Sequence, residues 1–335
     1  MSKSALLRRA LTLASPRLSS STQWLPIVSR GFSSGRCLRR SEDPRIKALG
    51  REISDDYATI REKYILVETP KYPIVLAHGL FGFAELRLAS YLPAVEYWHG
   101  IRDALTAQGA TVLTPTVPPS SSIADRAAAL RSALEAHAPA PEAVTIIAHS
   151  MGGLDARYML AHLNPLPVRV AALVTVATPH RGSAFADYLL DEQVSPLHLP
   201  RLYWMLERAG LGTAAFAQLT RRYMTDEFNP STPDCPDVHY FSYGAAVERP
   251  ALLSPFRHPH AVMTKAEGPN DGLVSVESSH WGTYKGTLLG VSHLDLINWS
   301  NRMGWTVREW MGIRRTFNAI AFYLDIADML AKEGY

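Results

Sequence analysis

Three residues, far apart in the chain, have the types and the order needed for nucleophilic attack on a carbonyl: Ser150, Asp271 and His293. Serine is a poor nucleophile until a neighbouring base takes its proton. Ser150 lies in AHSMGG, directly after the apolar run AVTII of residues 143–147 and before an amphipathic stretch. A sharp strand-to-helix turn there would lift its hydroxyl out of a sheet, and such a turn admits only small residues two before and two after the serine. Ala148 and Gly152 meet that need, with Gly153 beyond, although alanine departs from the G-x-S-x-G pattern by one methyl. The alternative is a serine that merely occupies a tight turn.

The order serine, acid, histidine is the order in which α/β-hydrolases carry their triad. Asp271 sits in GPNDGLVSV, a turn-rich loop read as following a strand near residues 238–243. An aspartate in Asn-Asp-Gly also serves as a plain turn cap. His293 sits in LLGVSHLDLINW, after a last strand expected over 287–291 and before a helix, where an imidazole can reach over the sheet edge. His280 competes for the same role but precedes that strand and is expected on the opposite edge. A fourth feature is KYPIVLAHGLFGF: a strand ending at His78-Gly79 would turn the Leu80 amide toward a cleft, with the Met151 amide as second donor. Two such amides stabilise the oxyanion of acyl transfer, and losing one donor costs about 10²–10³ in rate.

These loops need a frame, and the hydropathy pattern supplies one. Residues 65–67, 73–77, 111–117, 144–147 and 170–177 read as strands, and 96–108, 123–138 and 151–163 as helices. Strands alternating with helices predict an α/β protein with a mostly parallel central sheet flanked by helices. In such sheets ligands gather beyond the carboxyl ends of the strands, where each suspected residue lies.

Residues 184–236 break the alternation. Leu199, Leu202, Tyr203 and Leu206 share a helical face widened by Trp204 and Met205, and Phe216, Leu219, Tyr223 and Met224 continue it. This helical insertion has more apolar surface than one stripe needs. It reads as a lid over an apolar cleft or as a segment packed on the core. Residues 305–330 read as an amphipathic structural helix.

The chain has 335 residues and a formal charge of +3, unevenly placed. Residues 1–40 hold eight basic residues, nine serines and no acid. Removing those eight leaves 26 basic residues against 31 acidic ones, so residues 41–335 are mildly acidic, which argues against a general nucleic-acid surface. The first forty residues, with Leu6, Leu7, Ala10 and Leu11 on one face beside Arg8 and Arg9, have the composition of a mitochondrial transit peptide. A disordered basic tail is the alternative. Expected, therefore, are a removable leader over 1–40 and a single domain over 41–335, located in the mitochondrial matrix or on the inner face of a mitochondrial membrane. Only Cys235 remains beside Cys37 in or near the leader, so no disulfide framework is indicated. No run of about 18 apolar residues is free of charges and breakers, so no transmembrane segment is expected.

HGLFGF, AHSMGG followed by LDARY, ATPHRGSAFADY, NDGLVSVESSHWG and VSHLDLINW stand in the order found in α/β-hydrolase triacylglycerol lipases of the Pseudomonas and Burkholderia type. The chain resembles that family over roughly residues 70–300, and its fungal mitochondrial members most. The resemblance implies Ser150 as nucleophile, Asp271 as acid, His293 as base, Leu80 and Met151 as oxyanion hole, and 184–236 as a mobile lid. It implies a lipid substrate at an interface, at a membrane or droplet surface, and no nucleic-acid partner. The bacterial relatives hold a structural calcium. Here Asp295 suits one ligand position, but Trp299 stands where a glutamine should and no aspartate lies near Glu248 and Arg249, so no metal or other cofactor is expected. The Arg257-His258-Pro259-His260 cluster reads as a solvated loop, with a metal site as the alternative.

The leading expectation is a serine hydrolase of long-chain triacylglycerols acting through an acyl-enzyme. A phospholipase, acyltransferase, thioesterase or general carboxylesterase on the same triad is the second reading. A non-catalytic hydrolase fold used as a binding scaffold is the third.

Overall fold

Among the described residues, the near-continuous apolar runs form the middle of a seven-stranded sheet in which every neighbouring pair is parallel. The computed structural model describes residues 52–53, 68–80, 82, 85–86, 95–137, 141–190, 214–250, 254, 256–299 and 317–335. In chain order the strands are β1 (Glu52–Ile53), β2 (Ile74–Ala77), β3 (Glu85–Leu86), β4 (Val95–Glu96), β5 (Val112–Leu113), β6 (Ala143–His149), β7 (Arg169–Val176), β8 (His239–Ala246) and β9 (Thr283–Leu289). The large sheet runs β1-β9-β8-β7-β6-β2-β5, and β3 pairs with β4 in a separate antiparallel ribbon.

Alternation along the strands divides the core into two layers. Ile74, Leu76, Ile147, Val174 and Val176 face one side and pack with helices α1 (Ile101–Ala107) and α8 (Ala319–Lys332) through Ile101, Leu105, Phe322 and Ile326. Val75, Ala77, Val144, Ile146 and Ala148 face the other side. They meet α2 (Ile123–Glu135) and α3 (Gly152–His162) through Ala127, Leu130, Leu134, Met159 and Leu160. Period-two side chains covered on both faces are what a buried parallel sheet requires. Ser122 caps α2 by accepting the Asp125 amide, and Asn318 caps α8 by accepting that of Ala321.

Several boundaries differ from those expected. The strand at 111–117 shortens to Val112–Leu113, because β5 is an edge strand and Pro115 has no amide to pair. The helix expected over 96–108 starts at Ile101: residues 95–96 are taken by β4, and Gly100 at φ 70° begins the helix. The final strand opens at Thr283, four residues earlier than read, where Phe241 of β8 pairs with it. Helix α8 begins at Ala319; residues 300–316 and the strand expected at 65–67 lie outside the described residues, as do the leader expected over 1–40 and residues 199–206.

Further helices among the described residues are α4 (Ala184–Leu190), α5 (Ala214–Gln218), α6 (Arg257–Ala266) and α7 (Val276–Ser279), besides the single turns Arg221–Tyr223 and Asn229–Ser231. Residues 224–228 form a π-helical turn whose Met224 and Phe228 are buried with Met151 and Leu154. Arg157 of α3, itself buried, donates to Asn229 Oδ1 at 2.9 Å and to the Thr232 carbonyl at 3.2 Å. Residues 224–232 of the insertion are thus fastened to the core. No helix among the described residues is long and apolar enough to cross a membrane.

Candidate active site

Ser150 occupies the turn between β6 and α3 in the left-handed region, at φ 56°. A non-glycine residue there is strained, and strain of this kind gathers at functional sites. The turn is held from below: the Ser150 amide donates to the Val176 carbonyl at 3.0 Å, and Thr178 Oγ1 donates to the Ser150 carbonyl at 2.8 Å. Gly152 shows why the flanks are small. A Cβ on it would fall 2.6 Å from the Ala77 carbonyl oxygen and 2.8 Å from that of His78, both backbone atoms of the neighbouring strand end. Ala148, on the other flank, is fully buried and its methyl is accommodated.

His293 and Asp271 are tied together. His293 Nδ1 donates to Asp271 Oδ2 at 2.6 Å, and the His293 amide donates to the Asp271 carbonyl at 3.0 Å. The other carboxylate oxygen, Oδ1, accepts the amides of Leu273 at 3.0 Å and Val274 at 2.8 Å. Asp271 is therefore a turn cap and the partner of His293 at once; the two readings of this residue do not compete. The strand that precedes Asp271 is β8, with α6 between the two.

Ser150 and His293 line one cavity of about 560 Å³, together with Leu80, Tyr97, His149, Phe185, Ala186, Leu189, Phe216, Leu219, Phe256, Leu273, Val274, Leu294 and Trp299. Apart from Tyr97, His149, His293, Ser150 and Ser183, its walls are apolar. Leu80 follows the end of β2 on this cavity, and Met151 directly follows Ser150 as the residue before α3, its side chain buried with Leu154. The wall includes Phe216 and Leu219 from the insertion. His280 lies away from the cavity, before β9, with its ring stacked on Tyr284.

The loop after β2 is braced at several points. Arg126 donates to the His78 carbonyl at 2.9 Å and pairs with Asp155 of α3 at 2.7 Å, both side chains fully buried. Burial holds the His78 imidazole down at about 4, so the neutral ring donates from Nδ1 to the Gly79 carbonyl and accepts the Val117 amide at Nε2.

The Arg257-His260 cluster is not a loop: it opens α6, where Pro259 falls in the first turn and needs no amide partner. His260 is buried and donates from Nε2 to the Val247 carbonyl at 2.7 Å, whereas His258 is exposed beside Tyr188. Asp295 Oδ2 accepts the Ser292 amide and hydroxyl at 2.9 and 2.6 Å, and Trp299 contributes an indole to the cavity wall. Among the described residues, no group of three His, Cys, Asp or Glu side chains is placed to hold a metal ion.

Two titratable cavity residues escaped the sequence reading, Tyr97 and His149. His149 stands inside AHSMGG, but a strand-end histidine with an apolar run before it gives no sign of which way it faces. Tyr97 follows β4, and nothing local marks it.

Residues 95–196 match the family described as PGAP1-like alpha/beta domain. Triacylglycerol lipase 2 of Saccharomyces cerevisiae is 35% identical over 316 residues, covering 79% of this chain and 93% of that protein. A triacylglycerol lipase of Pseudomonas fragi is 29% identical, covering 79% and 97%. Among solved structures, Staphylococcus hyicus lipase superposes with a TM-score of 0.57 at 19% identity, covering 79% of this chain and 97% of that one. The mature form of Bacillus licheniformis lipase BlEst2 gives 0.55 at 20%, covering 77% and 99%. At such identities the structural likeness speaks for the fold, while the yeast relative speaks for descent. The chain is a carboxylic ester hydrolase and belongs to the triacylglycerol lipase family of α/β-hydrolases.

Proposed function

We propose that this enzyme hydrolyses long-chain triacylglycerols through an acyl-enzyme on Ser150. The observation that carries the reading is the placement of Ser150, on a strained turn, in the same apolar cavity as a histidine bonded to a buried aspartate. Ser150 Oγ attacks the ester carbonyl as His293 Nε2 takes its proton. His293 then returns that proton to the departing glyceride alkoxide, and water repeats the cycle on the acyl-enzyme. Asp271 keeps the Nδ1 proton in place and stabilises the imidazolium. The amides of Leu80 and Met151 receive the oxyanion.

An almost wholly apolar wall favours acyl chains over small polar esters, and the relatives named triacylglycerol lipase support the glyceride class. Residues 184–236 act as the lid, with Met224 and Phe228 as its fixed base. The substrate is met at a lipid surface. No structural calcium is part of this reading: Asp295 is engaged by Ser292, and the indole of Trp299 cannot supply the second ligand. Residues 1–40 carry the enzyme to the mitochondrion and are removed; their acid-free, arginine- and serine-rich composition supports this.

A fluorophosphonate probe tests the nucleophile. The expected result is stoichiometric labelling of a peptide containing Ser150, abolished in Ser150→Ala. Labelling elsewhere, or undiminished labelling of that variant, would overturn the assignment.

A further inference from the structure

Tyr97 and His149 are buried polar residues of the cavity wall to which the hydrolytic steps above give no part. The Tyr97 hydroxyl oxygen accepts the Gly79 amide at 3.0 Å and lies 2.7 Å from His149 Nδ1. An amide only donates, and the other polar atom beside the hydroxyl is His149 Nδ1. Directing the phenolic proton there gives that proton an acceptor and leaves His149 Nε2, which has no hydrogen-bond partner among the described residues, to carry the ring proton. Nδ1 is then an acceptor, and the ring proton sits on Nε2. Burial keeps the His149 imidazole well below its usual range, and His293 beside it pushes the same way; the His293 backbone carbonyl opposes both. The ring centroids of His149 and His293 are 4.5 Å apart.

The consequence lies in the peptide that carries the Leu80 amide. Glycine has the freest backbone of any residue, and Gly79 cannot be anything else: a Cβ would come within 2.7 Å of Ser150 Cβ and 2.9 Å of the Tyr97 hydroxyl. Its direction must therefore be fixed by hydrogen bonds. The Gly79 carbonyl is held by His78 Nδ1 at 2.9 Å and by the Gly82 amide at 3.2 Å. The Gly79 amide is held by Tyr97. With the peptide planes on both sides of the glycine pinned, the Leu80 N–H, trans to the Gly79 carbonyl, has one direction.

We propose that Tyr97 is a positioning residue for ester hydrolysis: its hydroxyl locks the Gly79 amide, and so aims the Leu80 N–H, against a neutral His149 whose ring backs the His293 imidazole. This rests on Leu80 as an oxyanion donor and His293 as base. Packing alone does not need the hydroxyl, because the Tyr97 ring contacts with His78 and Trp98 would survive in phenylalanine.

The test is Tyr97→Phe in the full-length enzyme, with Ser150→Ala alongside. An aimed donor acts on the tetrahedral state and little on the bound ester. The expected result is a kcat lowered about ten- to a hundredfold, short of the full loss of a donor, with KM within about twofold. Affinity for an alkyl boronic acid, which forms a tetrahedral adduct on Ser150, should fall by the same factor. Unchanged kcat and boronate affinity, or a loss confined to KM, would overturn the proposal. Independently of how the variant folds, ¹⁵N NMR of histidine-labelled wild-type enzyme should show His149 neutral with its proton on Nε2 from about pH 5.5 to about 9. A His149 that titrates in that range, or carries its proton on Nδ1, contradicts it. If Ser150→Ala is inactive while Tyr97→Phe behaves as wild type, only the positioning role fails; an active Ser150→Ala removes the triad as well.

Discussion

His293 and Asp271 are joined at two points, side chain to side chain at 2.6 Å and amide to carbonyl at 3.0 Å. An imidazole held this way cannot rotate its ring without giving up the buried carboxylate, so one tautomer is enforced. Asn in place of Asp271 keeps an oxygen for the Leu273 and Val274 amides but reverses the tautomer. Asp271→Asn is expected to lower kcat by about 10⁴, with little change in unfolding temperature. Asp271→Ala loses the cap as well and should unfold about 1–2 kcal/mol earlier than the Asn variant in a denaturant titration. Equal stability of the two variants would refute the double duty.

Gly152 tests the turn. Its missing Cβ would press on backbone oxygens of Ala77 and His78, which cannot move aside as a side-chain tip can. Gly152→Ala is expected to cost about 1–3 kcal/mol and to displace the strand end that leads to Leu80. Activity should therefore drop at temperatures where the variant is still fully folded, measured by kcat beside circular dichroism. Wild-type kcat in a folded variant would contradict this.

Arg126 and Asp155 form a buried pair that braces the loop after β2. Burial pushes the Asp155 carboxyl up to about 6 even though Arg126 pulls it down. Removing the guanidinium in Arg126→Met leaves a buried charge, worth about 3–5 kcal/mol of destabilisation when it stays ionised. The carboxyl of the variant then rises further. A folded-state value raised above the unfolded one gives stability at low pH that is lost as pH climbs through the folded value. The gap between wild type and variant should accordingly be larger at about pH 8 than at about pH 5. Denaturant unfolding at the two values measures it, and a gap that is constant or shrinks with pH would sink the explanation.

Ala186 faces the cavity from α4 and is almost fully buried. Phenylalanine there fills space that a long acyl chain would use. Ala186→Phe should cut kcat/KM for long-chain esters by about tenfold or more while leaving butyrate esters within about threefold, since each lost methylene contact is worth roughly 1 kcal/mol. Equal losses on both substrates would mean the chain runs elsewhere.

Much of this was legible in the sequence because it was written locally. The apolar run before Ser150 and its small flanks are properties of one short segment, and the order of serine, acid and histidine is read along the chain without any contact being known. Strand β6 and helix α3 lie within two residues of where periodicity places them. What was not legible depends on distant neighbours. The shortening of β5 follows from its edge position, and α6 after β8 looks like a loop because Pro259 hides in its first turn. Tyr97 touches Gly79 and His149 across 18 and 52 residues of chain. No window of sequence contains such a contact.

The most direct measurement is fatty-acid release from emulsified long-chain triacylglycerol by wild-type enzyme and by Ser150→Ala, across the concentration at which the substrate forms an interface. The expected result is turnover that rises sharply once the interface forms, and a loss of about 10⁶ in the variant. Release that survives in Ser150→Ala would contradict the catalytic assignment. Release confined to soluble short esters or phospholipid vesicles would keep the nucleophile and contradict the triacylglycerol substrate.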